Sequence, residues 1–170
     1  LLTWVQGRPA AVLIVEFYGE TDAELIAKVK ALEARKLAPA AVRALTAEEQ
    51  ARVWGVRKVG LGLLMSVRGE AKPLAFMEDV AEPVECLGDY VRELERIFAG
   101  EGVASGYYAH ASAGCLHIRP LVSLKQQSEI DRMKRIAEAV VSVVQRMGGA
   151  MSGEHGDGLS RSCWNERLYG

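Results

Sequence analysis

Hydrophobic and polar positions along the chain switch between a strand-like and a helix-like period. A nearly continuous apolar run, 10–17, is rich in Val and Ile, which is typical of a buried strand. Thr21 and Glu24 then form a capping-box pattern, and apolar residues at helical spacing follow them. This pattern predicts a strand followed by a helix that runs from Thr21 to about Arg35.

The middle of the chain gives weaker signals. A second capping-box pattern, Thr46 to Glu49, predicts a short helix that continues to Trp54. Glycines at positions 60 and 62 then interrupt the helical periodicity. Residues 74–80 have strand character, so we expect a second strand there.

The second half of the chain predicts a helix, a β-hairpin and a long helix. Pro83 stands at the first turn of an amphipathic segment that ends at two glycines. Two apolar segments, 103–110 and 116–121, read as strands joined by a short loop of small residues. An amphipathic helix follows over 128–147. Strands interspersed with helices predict an α+β fold of the ferredoxin-like type, with helices covering one face of a mainly antiparallel sheet.

Composition narrows the class of protein. The 170 residues are expected to form one domain, 1–170, because this length suits a single core and no linker interrupts it. A net charge of −1 gives no general attraction to nucleic acid or to an anionic membrane. The three cysteines form no Cys-x-x-Cys pair, and no apolar run is long enough to cross a bilayer. We therefore expect a cytoplasmic protein without an integral membrane segment, and we interpret the chain as part of a longer protein.

Histidines are confined to two short segments. His110 and His117 stand at the two ends of the hairpin loop, and His155 follows Glu154 in a glycine-flanked loop. Two imidazoles and a carboxylate can bind a divalent metal and leave one position open, and a further imidazole can then transfer protons. The alternative is that the hairpin histidines only make ordinary hydrogen bonds at the strand ends. The glycines around the Glu-His pair favour a site, because they allow close approach of a ligand.

Several cationic side chains could bind the carboxylate of a substrate. Candidates in the middle of the chain include Arg57 and Lys72, although most such charges are simply solvated. Arg119 is the better candidate, because it lies two residues beyond His117 and should project from the same face of the strand. Cys115 could complete a metal site, but a small buried thiol in the turn is the simpler interpretation.

Four motifs in this order resemble one known family. They are W-G-V-R-K from Trp54, E-D-V-A-E-P from Glu78, the H-x6-H hairpin and the loop S-G-E-H-G-D-G from Ser152. Together they resemble the C-terminal domain of FAD-linked oxidases, a group that contains D-lactate, glycolate and D-2-hydroxyglutarate dehydrogenases. The version present here looks most like large bacterial oxidoreductases in which the flavin domain is fused to an iron-sulfur module.

The resemblance implies a substrate-binding cap for a flavin held by another domain of the same chain. It assigns His110, His117 and Glu154 to a divalent metal, Zn or Mn, His155 to the catalytic base, and Arg57 to the substrate carboxylate. The implied reaction is oxidation of a small D-2-hydroxy acid by hydride transfer to FAD. The resemblance also implies an electron acceptor that reoxidises the flavin. Through such a partner the protein would be peripheral to a membrane. Without the domain that holds the flavin, these 170 residues are expected to be inactive.

Departures from the family pattern fall near this implied site. Many members have Gly-Asp-Gly-Asn where this chain has 112–115, and Met77 and Arg119 replace a common lysine and asparagine. Substrate preference is therefore expected to differ. Two other classes stay open on the residues alone. One is a metal-dependent hydrolase that uses the same ligands, and the other is a non-catalytic α+β binding module.

Overall fold

A computed structural model describes residues 4–170, apart from the side chain of Leu61. The chain divides into two compact units, Leu1–Gly62 and Leu63–Gly170. The boundary between the two units falls inside a helix. That residues 1–170 form one domain stays a prediction. Within the described residues, no helix combines the length and the apolar character that crossing a membrane requires.

The first unit contains helix α1, Asp22–Ala34, and most of helix α2, Ala47–Met65. The Thr46–Glu49 capping box is complete, whereas at Thr21 only the side-chain cap forms and the Glu24 carboxylate accepts from the backbone N–H of Glu20 at 3.0 Å. The backbone N–H of Glu24 donates to Oγ1 of Thr21 at 3.2 Å, and Thr46 and Glu49 exchange side-chain-to-backbone hydrogen bonds of 3.2 and 2.9 Å. These bonds satisfy N–H groups that a helix start otherwise leaves without a partner, which is why the helices begin there.

Two predictions for this region are wrong. Helix α2 does not end near Trp54 but continues through both of its later glycines to Met65, because a glycine costs a helix only about 1 kcal/mol. Residues 10–17 form no strand, and the side chain of Leu13 is 75% exposed. A strand needs a neighbour to pair its backbone groups, and no described segment pairs with this one.

The second unit is built on strand β4, Cys115–Val122, which pairs with every other strand of a four-stranded antiparallel sheet. Strand β3, Ser105–His110, runs along it as the predicted hairpin. Two short strands, β1, Lys72–Pro73, and β2, Val80–Ala81, pair with its two ends. Residues 115 and 116 pair with both β2 and β3, so these two strands lie on opposite edges of β4.

The continuous strand expected over 74–80 is wrong, because β1 ends before it at Pro73 and Val80 is the one residue of this segment that belongs to a strand. Between β1 and β2 the backbone turns at Asp79, which has a left-handed φ of 73°. Residues other than glycine adopt this region rarely, although Asp tolerates it better than most. The strand pattern is interrupted where Glu78 and Asp79 point their carboxylates into the interior.

Helix α3, Leu87–Glu101, and helix α4, Gln127–Met147, pack against each other and cover the sheet. In the part of the chain that the structure describes, three 3-10 turns connect the other elements. The first, Val84–Cys86, leads into α3, and the second, Ala111–Ala113, forms the hairpin loop. The third, Ser162–Trp164, joins two short helices, α5, Gly158–Arg161, and α6, Asn165–Tyr169. The fully buried core residues include Leu94 of α3, Ile118 of β4 and Val140 of α4. The predicted α+β class with an antiparallel sheet is confirmed.

Glu82 is a buried carboxyl group in this core region. The residue is 4% exposed, and neither of its carboxyl oxygens has a hydrogen-bond partner among the described residues. Its side chain occupies the space beside Gly149, where a Cβ would collide with the carboxyl group. Burial penalises the charged form and raises the pKa of Glu82 to about 7.

Glu82 should make the stability of the protein depend on pH. Its folded-state pKa lies above the ordinary value of 4.5, so the folded state binds the proton more tightly than the unfolded state. The free energy of unfolding should therefore fall as the pH rises from about 4.5 to about 7, by up to roughly 3 kcal/mol. Urea unfolding between pH 4.5 and 8, compared with Glu82→Gln, measures this contribution. An identical pH slope in the variant would contradict it.

Candidate metal and proton-transfer site

Three separated segments meet at one end of the sheet. His110 ends β3, His117 lies near the start of β4, and the loop 152–158 follows α4. Because side chains two residues apart in a strand share a face, Cys115, His117 and Arg119 line the same face of β4. The loop 152–158 is attached beside them, since its Gly153 N–H donates to the backbone oxygen of Asp79 at 2.7 Å.

Glu154 is the point at which the hairpin and the loop converge. One of its carboxylate oxygens lies 3.6 Å from Nε2 of His110, and the other lies 3.4 Å from Nε2 of His117. Both separations are close to the distance of about 3.4 Å between two ligands of one tetrahedral ion with bonds of about 2.1 Å. The predicted convergence of these three residues is therefore present in the structure.

The donor set fits a divalent metal. Imidazole nitrogens with a carboxylate suit Zn²⁺, and a site with three such ligands leaves a position open for another molecule. The ligand atoms of Asp79, Cys115, His117 and Glu154 lie within 4.8 Å of one another, and so do those of Glu78, His117 and His155. His117 is common to both groups, whereas His110 belongs to neither of them.

His117 is almost completely buried, with 2% of its side chain exposed. Its ring stacks on Tyr108 at a centroid separation of 4.4 Å and on His155 at 5.2 Å. Burial lowers the pKa of His117, and this effect outweighs the opposing influence of the nearby carboxylates of Glu78 and Glu154. The imidazole is therefore held neutral, as metal binding requires.

His155 differs from His117 in that about half of its side chain is exposed. Its Nδ1 makes a 2.8 Å hydrogen bond with Oε1 of Glu78, while its Nε2 lies 3.8 Å from a carboxylate oxygen of Glu154. The ring is thus fixed at one nitrogen and accessible elsewhere. A general base needs this combination of fixed orientation and access to the substrate.

Asp79 holds the loop 152–158 against the sheet. Its fully buried carboxylate accepts hydrogen bonds from the Ser152 hydroxyl at 2.7 Å and from the backbone N–H groups of Glu154 and His155 at 3.1 and 2.8 Å. Burial pushes the pKa of Asp79 upward, but these hydrogen bonds together outweigh it, so the pKa lies below its ordinary range. The carboxylate therefore stays charged and fixes the backbone of Glu154 and His155.

Arg161 supports the same loop from the opposite direction. It is 4% exposed and donates from one guanidinium nitrogen to the backbone oxygen of Glu78 at 2.8 Å. A second nitrogen donates to the backbone oxygen of Gly156 and lies 3.9 Å from a carboxylate oxygen of Asp79. The buried negative charge of Asp79 therefore has a buried positive charge close to it, which reduces the cost of removing both from water.

Cys115 lies beside the ligands without being needed for them. Its sulfur is 3.6 Å from a carboxylate oxygen of Asp79 and 3.9 Å from Nε2 of His117. Burial, reinforced by the neighbouring carboxylates, raises the pKa of the Cys115 thiol to about 12. The protonated thiol donates to Asp79, in agreement with its interpretation as a small buried thiol in the turn.

Of the cationic residues predicted to bind substrate, Arg119 and Lys72 belong to the second unit and Arg57 to the first. Arg119 joins the cluster through Glu78, whose Oε2 lies 3.1 Å from its guanidinium nitrogen. Lys72 is not brought to the cluster, because it pairs with Val122, about 17 Å along β4 from His117. Its ammonium group donates instead to the backbone oxygen of Val67 at 2.7 Å. Arg57 belongs to the first unit, where its guanidinium carbon lies 6.0 Å from the Trp54 ring centroid.

Sequence reasoning did not assign roles to Glu78, Asp79 and Arg161. All three are buried. Glu78 and Asp79 are hydrogen-bonded to His155, and Arg161 donates to the backbone oxygens of Glu78 and Gly156. The available signal was the pair of consecutive acidic residues inside an apolar segment, since such charges are buried only when they are paired. Several of their partners lie far away along the chain, His155 77 residues from Glu78 and Ser152 73 residues from Asp79, and could not be identified from the sequence pattern.

Residues 3–170 match the family described as FAD linked oxidases, C-terminal domain. The chain is 39% identical over 163 residues to a D-2-hydroxyglutarate dehydrogenase of Pseudomonas putida, and 34% identical over 172 residues to that of Escherichia coli. Each alignment covers 92% of this chain and 16% of the relative. A glycolate oxidase subunit, GlcD, of Bacillus subtilis is 26% identical over 158 residues, which cover 92% of the chain and 33% of that protein.

The chain belongs to the family of FAD linked oxidase C-terminal domains. The resemblance inferred from the four ordered motifs is thereby confirmed. The chain spans about a sixth of the length of the D-2-hydroxyglutarate dehydrogenases that it matches. Relatives of the family are hydroxy acid dehydrogenases and oxidases by name, and this supports membership of an oxidoreductase family.

Removal of the Asp79 carboxylate should destabilise the second unit. Asp79→Ala leaves the hydroxyl of Ser152 and two backbone N–H groups without their acceptor, so we expect a loss of about 3–5 kcal/mol in the free energy of unfolding. Urea unfolding measures the change. Asp89→Ala is the matched control, because Asp89 is exposed and forms a surface ion pair with Arg92, so its effect should stay within about 0.5 kcal/mol. Equal losses in the two variants would refute the anchoring role.

Proposed function

We propose that this chain is the substrate-binding cap of a flavin-dependent enzyme that oxidises a D-2-hydroxy acid to the corresponding 2-oxo acid. The observation that carries the proposal is the convergence of His110, His117 and Glu154, with His155 beside them, in a chain of this family. Names of the relatives support hydroxy acids as the substrate class. A metal-dependent hydrolase would use the same ligands, but the family favours oxidation.

His110, His117 and Glu154 would hold the divalent ion, Zn or Mn. When bound, the ion supplies Lewis acidity, which lowers the pKa of a substrate hydroxyl. The three side chains determine where the ion would bind. The buried ring of His117 is fixed by stacking between Tyr108 and His155, and the more exposed His110 and Glu154 complete the ligand set from the solvent side.

His155 would accept the hydroxyl proton at Nε2. Its Nδ1 is occupied by the hydrogen bond to Glu78, so Nε2 is the nitrogen left to receive a proton. The flavin supplies the acceptor for the hydride that leaves the α-carbon. Proton transfer at a positioned histidine and orientation of the substrate between His155 and the ligands are the contributions of this chain.

The rest of the proposal concerns the protein that contains this chain. The FAD-binding domain belongs to the same protein, and an electron acceptor reoxidises the flavin. An iron-sulfur module elsewhere in the full-length protein stays a prediction from the motif pattern. Arg57 remains the proposed contact for the substrate carboxylate. Free thiols at all three cysteines are compatible with a reducing, cytoplasmic compartment.

Metal removal should abolish the activity of the intact protein. Anaerobic mixing with a panel of D-2-hydroxy acids should bleach the flavin absorbance, and prior chelation should lower the rate by at least about 100-fold, because the ion lowers the pKa of the substrate hydroxyl. Addition of Zn²⁺ or Mn²⁺ should restore it. Flavin that is reduced equally fast after complete metal removal would contradict the role of the ligands. Absence of reduction by every acid in the panel would contradict the substrate class.

His155→Ala should lower the rate of flavin reduction by about 10²- to 10⁴-fold, the typical contribution of a positioned base. The bound metal should remain, because the other three residues hold it. Single-turnover kinetics together with metal content provide the measurement. His155→Gln is a second variant of similar size that cannot act as a base, so it should be equally slow. A near-normal rate in either variant would exclude His155 as the base.

A further inference from the structure

Glu78 contacts more groups of the site than any role assigned so far explains. Its Oε1 accepts the 2.8 Å hydrogen bond from Nδ1 of His155, and its Oε2 lies 3.4 Å from Nδ1 of His117 and 3.1 Å from the guanidinium of Arg119. The residue is 5% exposed. A single buried carboxylate therefore touches the proposed base, a proposed metal ligand and a cation.

The contacts of Glu78 select one tautomer of each imidazole. A carboxylate accepts hydrogen bonds, so the nitrogen that faces it carries the proton and the other nitrogen of a neutral ring carries the lone pair. For His155 the hydrogen bond is short, at 2.8 Å. For His117 the contact is longer, but buried Nδ1 has no hydrogen-bond partner among the described residues, and Glu78 is the acidic group beside it.

A second carboxylate opposes this selection. Oε2 of Glu154 lies 3.4 Å from Nε2 of His117 and 3.8 Å from Nε2 of His155, so it would attract a proton to those nitrogens. Glu78 competes by offering an acceptor at Nδ1 of the same two rings. The outcome of this competition decides whether Nε2 can bind an ion or accept a proton.

Arg119 balances the buried charge of Glu78. Its side chain is only 13% exposed, and its guanidinium is directed at the oxygen that also faces His117. An unpaired carboxylate would be costly at this depth, and the pairing reduces that cost. This placement gives Arg119 a structural partner inside the cluster, which differs from the substrate contact predicted from its position on the strand.

We propose that Glu78 is a positioning residue that keeps the proton of His155 and of His117 on Nδ1, with Arg119 as its counter-charge, so that both Nε2 atoms stay available. This inference rests on the proposed function for the consequence at His155, while its consequence for metal binding at His117 can be measured without any turnover. Carboxylates that orient imidazoles in this way are known to govern ligand affinity and the tautomer of a base.

Glu78→Gln separates this role from a packing role, because the two side chains have nearly the same shape. The amide oxygen should face the Arg119 cation and therefore remain near His117, which places the amide NH₂ against Nδ1 of His155. His155 must then carry its proton on Nε2 and cannot act as a base. We expect kcat of the intact enzyme to fall by about 10²- to 10⁴-fold. KM and the Kd for Mn²⁺ should change by less than about threefold, since the acceptor at His117 is kept.

Glu78→Ala should affect both histidines. With no acceptor at either Nδ1, kcat should fall as in Glu78→Gln, and the Kd for Mn²⁺ should rise by about 10- to 100-fold. Glu82→Gln is the matched control, because Glu82 is an equally buried carboxyl residue that makes no hydrogen bond to the described residues. It should leave kcat and the Kd unchanged. Free Mn²⁺ measured by electron paramagnetic resonance gives the Kd of the intact protein, and thermal unfolding of each variant monitors the fold.

Two results would overturn the proposal. The first is a Glu78→Gln enzyme with near-normal kcat, and the second is a Glu78→Ala protein that is folded and binds Mn²⁺ as tightly as the wild type. A different result is expected if the proposed function is wrong and the positioning role of Glu78 is right. The wild-type protein would then bind Mn²⁺ and oxidise no 2-hydroxy acid, and the Kd of Glu78→Ala would still decide the positioning of His117.

Discussion

The hydrogen bonds that Asp79 accepts from the loop 152–158 are the constraint on which the site depends. This loop has no regular structure of its own, so nothing within it fixes where Glu154 and His155 point. Their backbone N–H groups donate to a carboxylate that is fully buried beside β2, and the buried side chain of Arg161 restrains the same segment. Once the backbone is fixed there, both side chains are directed towards the histidines of the hairpin.

The neighbouring acidic residues Glu78 and Asp79 contact different groups of the site. Asp79 accepts hydrogen bonds from backbone groups of the loop, whereas Glu78 is hydrogen-bonded to the ring of His155 and lies 3.4 Å from Nδ1 of His117. Each carboxylate has its own arginine, Arg161 for Asp79 and Arg119 for Glu78. Buried charges at this density are tolerated only when each is paired and hydrogen-bonded, which explains why so many polar groups of the unit lie at one end of the sheet.

The sequence alone predicted elements whose signals are local. The hairpin around the two histidines, helix α4 and the side-chain caps of Thr21 and Thr46 depend on periodicity and short-range hydrogen bonds, and all are present. The strand expected over 10–17 depends on a partner, which local patterns do not reveal, and it does not form. The same limit applies to the site. His110, His117, Glu154 and His155 could be found from their residue types, but the roles of Glu78 and Asp79 come from contacts between segments that lie far apart in the sequence.

The central claim is that a hairpin and a distant loop form one metal site with a base beside it. Crystals of the intact protein grown with Mn²⁺, with diffraction data collected above and below the manganese absorption edge, test this claim most directly. The account predicts an anomalous peak bonded to Nε2 of His110, Nε2 of His117 and the Glu154 carboxylate, with His155 outside bonding distance. A protein with no peak among these residues, or with the ion bound to other groups, would contradict it.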